Sequence, residues 1–359
     1  MAKIWIDALT PKQIIFFNEL RKHLDDAGFE ILFTTREFRE TIGLVKLKKI
    51  PCKTVGKHGG ASLKDKLIAS TRRILDLIEI VSSEDITLAI SFSSPECARV
   101  AFGLGIPHIA VNDSPHSKFV AKLTIPLSKY LLSPKVIPKN VWVNFGISKD
   151  RIIQYNALDP VAWLKNFRPN DRVISDLNLD LQRSIIVIRE TETYASYLRG
   201  LVESITPICE TFVPPLLKKL GEDIQIVLLP RDEMQKDHLK QLFEDKNVII
   251  PEEAVDGASL LYYSTLLIGG GGTMNAEAAL LGTPVISMYP GPPTYVEKYL
   301  MKKKLIFREK SIEGSIQRAV YIVRNKKLRE EIRKRGRNLL RQMENPIDKI
   351  FSTIIREVA

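Results

Sequence analysis

Leu266-Leu267-Ile268-Gly269-Gly270-Gly271-Gly272-Thr273-Met274-Asn275-Ala276-Glu277 is the stretch that decides the fold. A short, fully apolar run meets four glycines, an apolar helix follows, and a second strand-like run, Pro284-Val285-Ile286-Ser287-Met288, comes after Gly282-Thr283. Apolar strands separated by a helix indicate parallel pairing with both faces of the sheet covered. Glycines between a buried strand and a helix free the backbone N–H groups and aim the helix dipole beyond the strand end, a geometry that suits an anionic diphosphate. The run lacks the Gly-Lys-Ser/Thr ending of a Walker A loop, and its place late in the chain disfavours a nicotinamide dinucleotide. Close packing at a tight turn is the alternative use of such glycines.

Outward from this unit the same grammar repeats. Residues 184–188 (SIIVI), 223–229 (DIQIVLL) and 247–250 read as strands, with helices at about 196–220 and 235–245. Toward the N-terminus, beyond a proline-containing, less regular stretch at 113–170, strands are expected at 3–7 (KIWID), 29–34, 50–55, 86–92 (ITLAISF) and 106–111 (IPHIAV). Thr10-Pro11-Lys12-Gln13 starts the first helix, with Thr10 as N-cap, Pro11 at N1 and Gln13 in the reciprocal position of a capping box. Ser94-Pro95 starts another helix, and a basic helix spans about 61–81. The expected architecture is α/β: two Rossmann-like doubly wound domains facing across a cleft, residues 1–165 and 166–344, joined near 157–170. A last helix, 345–359, packs back on the first domain.

At 359 residues the chain is long enough for two such domains. With 45% apolar and 26% charged residues it fits the globular class rather than the disordered one. No apolar run reaches the length of a bilayer span, which leads to an expected cytoplasmic location, peripheral at the inner face of the membrane at most. Cys52, Cys97 and Cys209 are odd in number and lack CxxC spacing, against a disulfide framework or structural zinc. Between Lys298 and Arg341, sixteen Lys or Arg face four Glu, a local net charge of +12 against +11 for the whole chain. Such a field attracts an anionic membrane surface or a lipid-linked acceptor, or else is a solvated helical face; nucleic acid is not expected, for want of interleaved aromatics.

The candidate site residues fall at strand ends. On the second domain Gly270, Gly271, Gly272, Thr273 and Glu277 form a nucleotide-diphosphate site, joined by Arg189 and Arg231 at two neighbouring strand ends. On the first, Thr10, Lys12 and Ser94 stand on the acceptor side, and Asp113, His116 or Glu96 can act as a general base on a sugar hydroxyl. Asn112-Asp113-Ser114-Pro115 is equally strong turn chemistry. His23, His58 and His238 have no partner spacing, and no metal site and no cofactor are expected.

Taken together, several motifs resemble one archaeal and bacterial family, domain of unknown function 354. They are Lys3 to Asp7 with Phe16-Phe17, Arg99 to Pro107, Asn112 to His116, Leu123 to Leu127, Tyr155 to Asp159, Arg189-Glu190, Ala195-Ser196-Tyr197, Leu229-Pro230-Arg231, and Gly270 to Met274 through Glu277 to Pro284. The resemblance implies the GT-B superfamily, shared with UDP-GlcNAc 2-epimerases and the lipid II synthesising glycosyltransferase. In those relatives the glycine turn and the following Glu bind diphosphate and ribose, which implies the same for Gly271, Gly272, Thr273 and Glu277. Many bacterial members have a His-containing loop after the first strand, whereas this chain reads Ala8-Leu9-Thr10-Pro11. The expectation is a glycosyltransferase-like enzyme using a nucleotide diphosphate sugar in cell-envelope or surface glycan synthesis, without an essential metal. The alternatives are a UDP-sugar 2-epimerase-like enzyme and a non-catalytic nucleotide-sugar-binding protein.

Overall fold

The computed structural model describes residues 2–60, 62–191 and 205–358. The chain divides into two units, the first running to Trp163 and resuming at Met343, the second covering Leu164–Gln342. In chain order the first unit holds β1 (Lys3–Asp7), α1 (Pro11–Asp26), β2 (Glu30–Glu37), α2 (Arg39–Leu47), β3 (Lys53–Lys57), α3 (Leu63–Ser82), β4 (Ile86–Ser91), α4 (Pro95–Gly103), β5 (His108–Val111), α5 (Lys118–Thr124), β6 (Tyr130–Pro134), α6 (Lys139–Val143) and β7 (Ile152–Tyr155). After α7 (Val161–Leu164) the second holds α8 (Arg172–Asp176), β8 (Ser184–Arg189), α9 (Pro207–Leu220), β9 (Ile224–Leu229), α10 (Glu233–Leu242), β10 (Val248–Ile249), α11 (Gly257–Tyr263), β11 (Leu266–Gly269), α12 (Thr273–Leu281), β12 (Val285–Ser287), α13 (Tyr295–Lys302), β13 (Ile306–Phe307), α14 (Ile312–Arg324) and α15 (Lys326–Gln342). The last helix, α16 (Pro346–Val358), belongs to the first unit and packs on α1.

Both sheets are parallel throughout. The first has the order β3-β2-β1-β4-β5-β6-β7 and the second β10-β9-β8-β11-β12-β13. Continuous burial along Ile185–Ile188, Ile224–Leu229 and Leu266–Gly269 leaves no strand face for water, so helices must cover both sides. In the second unit Phe212 and Leu216 of α9 and Ile322 of α14 pack on Ile186, Ile226 and Ile268. In the first, Leu77 and Val81 of α3 and Val100 of α4 pack on Trp5 and Ala89.

Strand order reverses between β1 and β4 in one sheet and between β8 and β11 in the other. Neighbouring connections leave the sheet toward opposite faces at such a point, opening a crevice at the carboxyl ends of the strands. Each unit therefore has one place built to receive a ligand: the rim around Asp7 and Ser91 in the first, and around Arg189 and Gly269 in the second.

Several elements differ from the sequence reading. β6, β7 and β13 are additional strands; two lie inside the proline-containing stretch, where short runs such as Ile152–Tyr155 carry too few residues for a period. Thr10 takes the extended N-cap conformation without a side-chain cap, and Gln13 Oε1 accepts from the Leu9 N–H (2.6 Å) instead of completing a capping box. The expected helix from about 196 and the Ala195–Tyr197 motif lie outside the described residues; the described helix starts at Pro207. Among the described residues no helix is long and apolar enough to cross a membrane.

Candidate functional site

In the second unit, β11 delivers the chain into Gly269–Gly272 at the switch point. Gly271 and Gly272 have φ of +103° and +86°, backbone that side chains rarely adopt. Close approach restricts the neighbouring glycines as well. A Cβ on Gly270 would stand 2.7 Å from Thr191 Cα, one on Gly271 would stand 2.7 Å from Tyr289 Cδ2, and one on Gly269 would overlap the Asn275 amide. The glycines let β8, Tyr289 and α12 converge beneath the loop. α12 is itself braced by α15, where Gly336 lies directly against the Ala279 carbonyl.

What distinguishes α12 is its N-terminus. A helix leaves its first N–H groups without intrahelical partners, and Ser, Thr, Asp or Asn usually satisfies them. Asp232, Asp256, Thr294, Ser311 and Asn325 do so for α10, α11, α13, α14 and α15. The buried Glu190 carboxylate does so for α9, accepting from Cys209 N at 2.7 Å, and burial raises its pKa. Gly272 at the N-cap of α12 offers no side chain at all. The N–H groups of Thr273, Met274 and Asn275 thus open at the carboxyl end of β11 with the positive end of the dipole behind them. Glu277 follows one turn into the helix and is half-buried.

The two arginines share this rim but are tied to backbone. Arg189 Nη1 donates to Pro230 O (2.5 Å), and Arg231 Nε donates to Glu190 O (2.9 Å). They brace the ends of β8 and β9. Among the basic residues of 298–341, Arg324, Arg329, Arg335 and Arg337 donate to the carbonyls of Lys219, Ile322, Lys304 and Leu281, and Arg318 pairs with Glu309 at 2.8 Å. Much of the arginine charge therefore caps local structure, while Lys302, Lys303, Lys304, Lys326 and Lys327 lie exposed.

In the first unit the rim is built from charges. Asp7, wholly buried at the end of β1, takes Arg73 on both oxygens (2.6 and 3.1 Å) and the Thr34 hydroxyl at 2.6 Å. Burial alone would raise the Asp7 pKa, but the Arg73 guanidinium outweighs it and holds it below the usual carboxylate range. Glu96 is buried in the same network, accepting from Ser94 Oγ (3.2 Å) and lying 4.0 Å from Arg73 Nη1. Ser94 is also the N-cap of α4, accepting from Cys97 N. Thr10, at the start of α1, is half-buried and carries no cap bond.

Beside this network Lys12 reaches from α1 to two carboxylates, Asp113 Oδ2 at 2.6 Å and Asp159 Oδ2 at 2.7 Å, with its ammonium 4.3 Å from the centre of the Phe92 ring. Tyr155 donates to Asp159 Oδ1 (2.6 Å). Burial opposes ionisation of both carboxyls, but Lys12 favours Asp113, whose pKa falls to about 2, whereas the fully buried Asp159, facing the Asp113 charge as well, rises to about 7. The pair therefore titrates near neutrality, with burial and the Asp113 charge favouring the proton on Asp159. Burial lowers the His116 pKa more than the nearby Asp113 charge raises it, so its ring is neutral at pH 7. His108 is buried between Ser91 Oγ and Ser128 Oγ, both 2.9 Å away, with its pKa pushed down to about 3 by burial.

The structure thus brings together Lys12 and Asp113 with His116 in their electrostatic field, sets Glu96 and Ser94 in a separate buried network, and gathers the glycines with Arg189 around one switch point. Sequence reasoning marked Tyr155 to Asp159 as a motif but assigned Asp159 and Tyr155 no role. They stand at i and i+4 in Tyr155-Asn156-Ala157-Leu158-Asp159, a spacing that reads as helical although Tyr155 ends a strand. It missed Arg73, which no local pattern marks, whereas Tyr289 lies in the loop 287–293, which the sequence marks as a candidate wall for a nucleobase or sugar. Among the described residues no three His, Cys, Asp or Glu side chains cluster in a way that would hold a metal ion.

The family described as "Protein of unknown function (DUF354)" matches residues 2–358 of this chain. An uncharacterised protein of Methanocaldococcus jannaschii is 35% identical over 320 residues, 87% of this chain and 89% of that protein. Among solved structures, UDP-GlcNAc 2-epimerase from Neisseria meningitidis bound to UDP-GlcNAc superposes with a TM-score of 0.76 at 16% identity, over 99% of this chain and 100% of that one. MurG of Acinetobacter baumannii superposes with a TM-score of 0.57 at 13% identity, again over 99% and 100%. At such identities the likeness establishes the shared GT-B fold.

Proposed function

The chain belongs to this family of unknown function, and from that premise we propose that it is an enzyme that uses a nucleoside-diphosphate sugar. The second unit holds the diphosphate and the first offers the acceptor groups for glycosyl transfer. One observation carries the reading: among the described residues of the second unit, α12 is the one helix of seven or more residues whose first turn has no side-chain cap, and it opens at the switch point through Gly271 and Gly272. An anion there completes the orphan N–H groups and meets the dipole favourably. Glu277, one turn in, is placed to accept ribose hydroxyls. The UDP-GlcNAc bound to UDP-GlcNAc 2-epimerase of the same fold supports this choice of ligand class. In the first unit the neutral His116 ring is the group able to take a proton from an acceptor hydroxyl at neutral pH, because Asp113, with its pKa near 2, is too weak a base.

A second reading draws on Asp159 and His116. The Asp159 carboxyl, its pKa raised to about 7 by burial and the Asp113 charge, can give a proton near neutrality while the neutral His116 ring takes one, an acid and base pair that also suits 2-epimerisation of the sugar without an acceptor. Calorimetry with UDP, GDP, CDP, ADP and dTDP tests the donor site: one diphosphate binds selectively and Glu277→Ala weakens it by about tenfold, one lost hydrogen-bonding group. If the folded protein binds none of them, the proposal fails. Turnover of the matching sugar nucleotide then separates the reactions, since inversion of one sugar carbon with no acceptor present selects the epimerase. His116→Ala is expected to lower the transfer rate by about 10²–10⁴ with nucleotide affinity unchanged.

A further inference from the structure

At the carboxyl end of β2, Arg36 carries a buried Nε that has no hydrogen-bond partner. Among the residues whose side chains are described, no carboxylate lies within ion-pair distance of it. The two nearby acids are already engaged: Asp7 by Arg73 and Thr34, Glu96 by Ser94 with Arg73 at 4.0 Å. Burial and the Arg73 charge lower the Arg36 pKa against the pull of Glu96 and Asp7, which is the signature of a guanidinium short of compensation. A buried unpaired N–H of a charged group costs folding free energy, so such a group calls for an acceptor.

The turn after β3 supplies a second donor at the same corner. His58 N–H donates to Glu37 O (3.1 Å), tying the turn to the end of β2, and the His58 ring lies 5.2 Å from that of Phe38. Gly60 N donates to His58 Nδ1 (3.1 Å), which makes Nδ1 the acceptor and Nε2 the protonated nitrogen of a neutral ring. Burial, with the positive charges of Arg36 and Lys66, holds the His58 pKa down to about 4, so the ring stays neutral. Gly59 permits this turn to lie on the Lys66 backbone, where a Cβ would overlap it. Arg36 and His58 present N–H donors only, in the positive field of Lys66.

We propose that this corner of the first unit binds a phosphoryl group, with the Arg36 fork on two oxygens and His58 Nε2–H on a third. The proposal deepens the reading above, on which it rests only in assigning that phosphoryl group to the acceptor; the anion site stands without it. A planar guanidinium matches phosphate oxygens two at a time, and a tetrahedral anion offers the further oxygen that a carboxylate lacks.

The probe is inorganic phosphate, titrated into the full chain while the His58 ring resonances are followed by NMR at several pH values. Saturable binding that raises the His58 pKa is expected in the wild-type chain and equally in Gly270→Ala, whose added Cβ disturbs the glycine loop. Arg36→Gln should bind phosphate about tenfold more weakly, the size of one charge-assisted hydrogen bond, with nucleoside-diphosphate affinity intact. Arg36→Lys should fall between, since it keeps the charge and loses the fork. A His58 titration indifferent to phosphate, or equal affinity in folded Arg36→Gln, overturns the proposal. So does loss of phosphate binding in Gly270→Ala, which would place the anion in the donor site. Phosphate binding at Arg36 in a chain that binds no nucleoside diphosphate would instead sink the donor reading and leave this site standing.

Discussion

The two switch points solve the same problem with different materials. In the first unit the rim is made of buried side-chain charges: Asp7 with Arg73, and Lys12 with Asp113 and Asp159. In the second it is made of backbone, four glycines opening onto an uncapped helix, and its arginines donate to carbonyls. A charge-built rim depends on each partner and on pH, because removing one ion leaves another buried and unpaired. A backbone-built rim depends on the absence of side chains, and is broken by adding one. The first is suited to moving protons and the second to holding a fixed anion.

The contrast is broken most severely by Arg73→Met. Asp7 would be left buried without its cation, and a loss of about 3–5 kcal/mol of stability is expected in urea unfolding. The double variant Arg73→Met with Asp7→Leu should recover part of that loss, because no charge then remains unpaired. Recovery of nothing would mean that the pair organises the rim in some way other than through its charges.

Gly270→Ala probes the other rim. Its Cβ would press on Thr191, and displacing the loop costs about 1–3 kcal/mol, so nucleotide affinity should fall by about 10–100-fold, read by calorimetry, while His58 still responds to phosphate. Unchanged nucleotide affinity would show that the loop geometry is not what binds.

The smallest effect is a slope. The Asp159 pKa is raised to about 7, so its contribution to stability is fully present below the ordinary carboxylate value and is lost as pH rises through about 7. Asp113, lowered to about 2, contributes above the ordinary value and loses its share only as pH falls toward 2. Between pH 5 and 8, stability of the wild-type chain should therefore decline relative to Asp159→Asn, by no more than about 1.4 kcal/mol per pH unit for one proton. Parallel urea midpoints across that range would remove the proton from Asp159.

The same difference of materials explains what could be read in the chain beforehand. The glycine run is contiguous, and a buried strand before it with a helix after it makes a local pattern with a physical meaning, so the second rim is legible residue by residue. Lys12 and Asp113 were visible as strand-end residues, but Asp159 enters from the far end of the sheet through β7, and Arg73 from the middle of α3, where a lone Arg in a basic helix carries no mark. Arg36 and His58 come into each other's electrostatic reach only because β2 and β3 pair in parallel. The fold followed from apolar runs separated by helices, and it failed where runs were too short to show a period, at β6, β7 and β13.

The most direct measurement is a crystal structure of the chain with the nucleoside diphosphate that calorimetry selects. The account predicts diphosphate oxygens within hydrogen-bond distance of the backbone nitrogens of Gly271 to Met274, with the ribose at Glu277. A diphosphate seated elsewhere, with those nitrogens facing water, would contradict it.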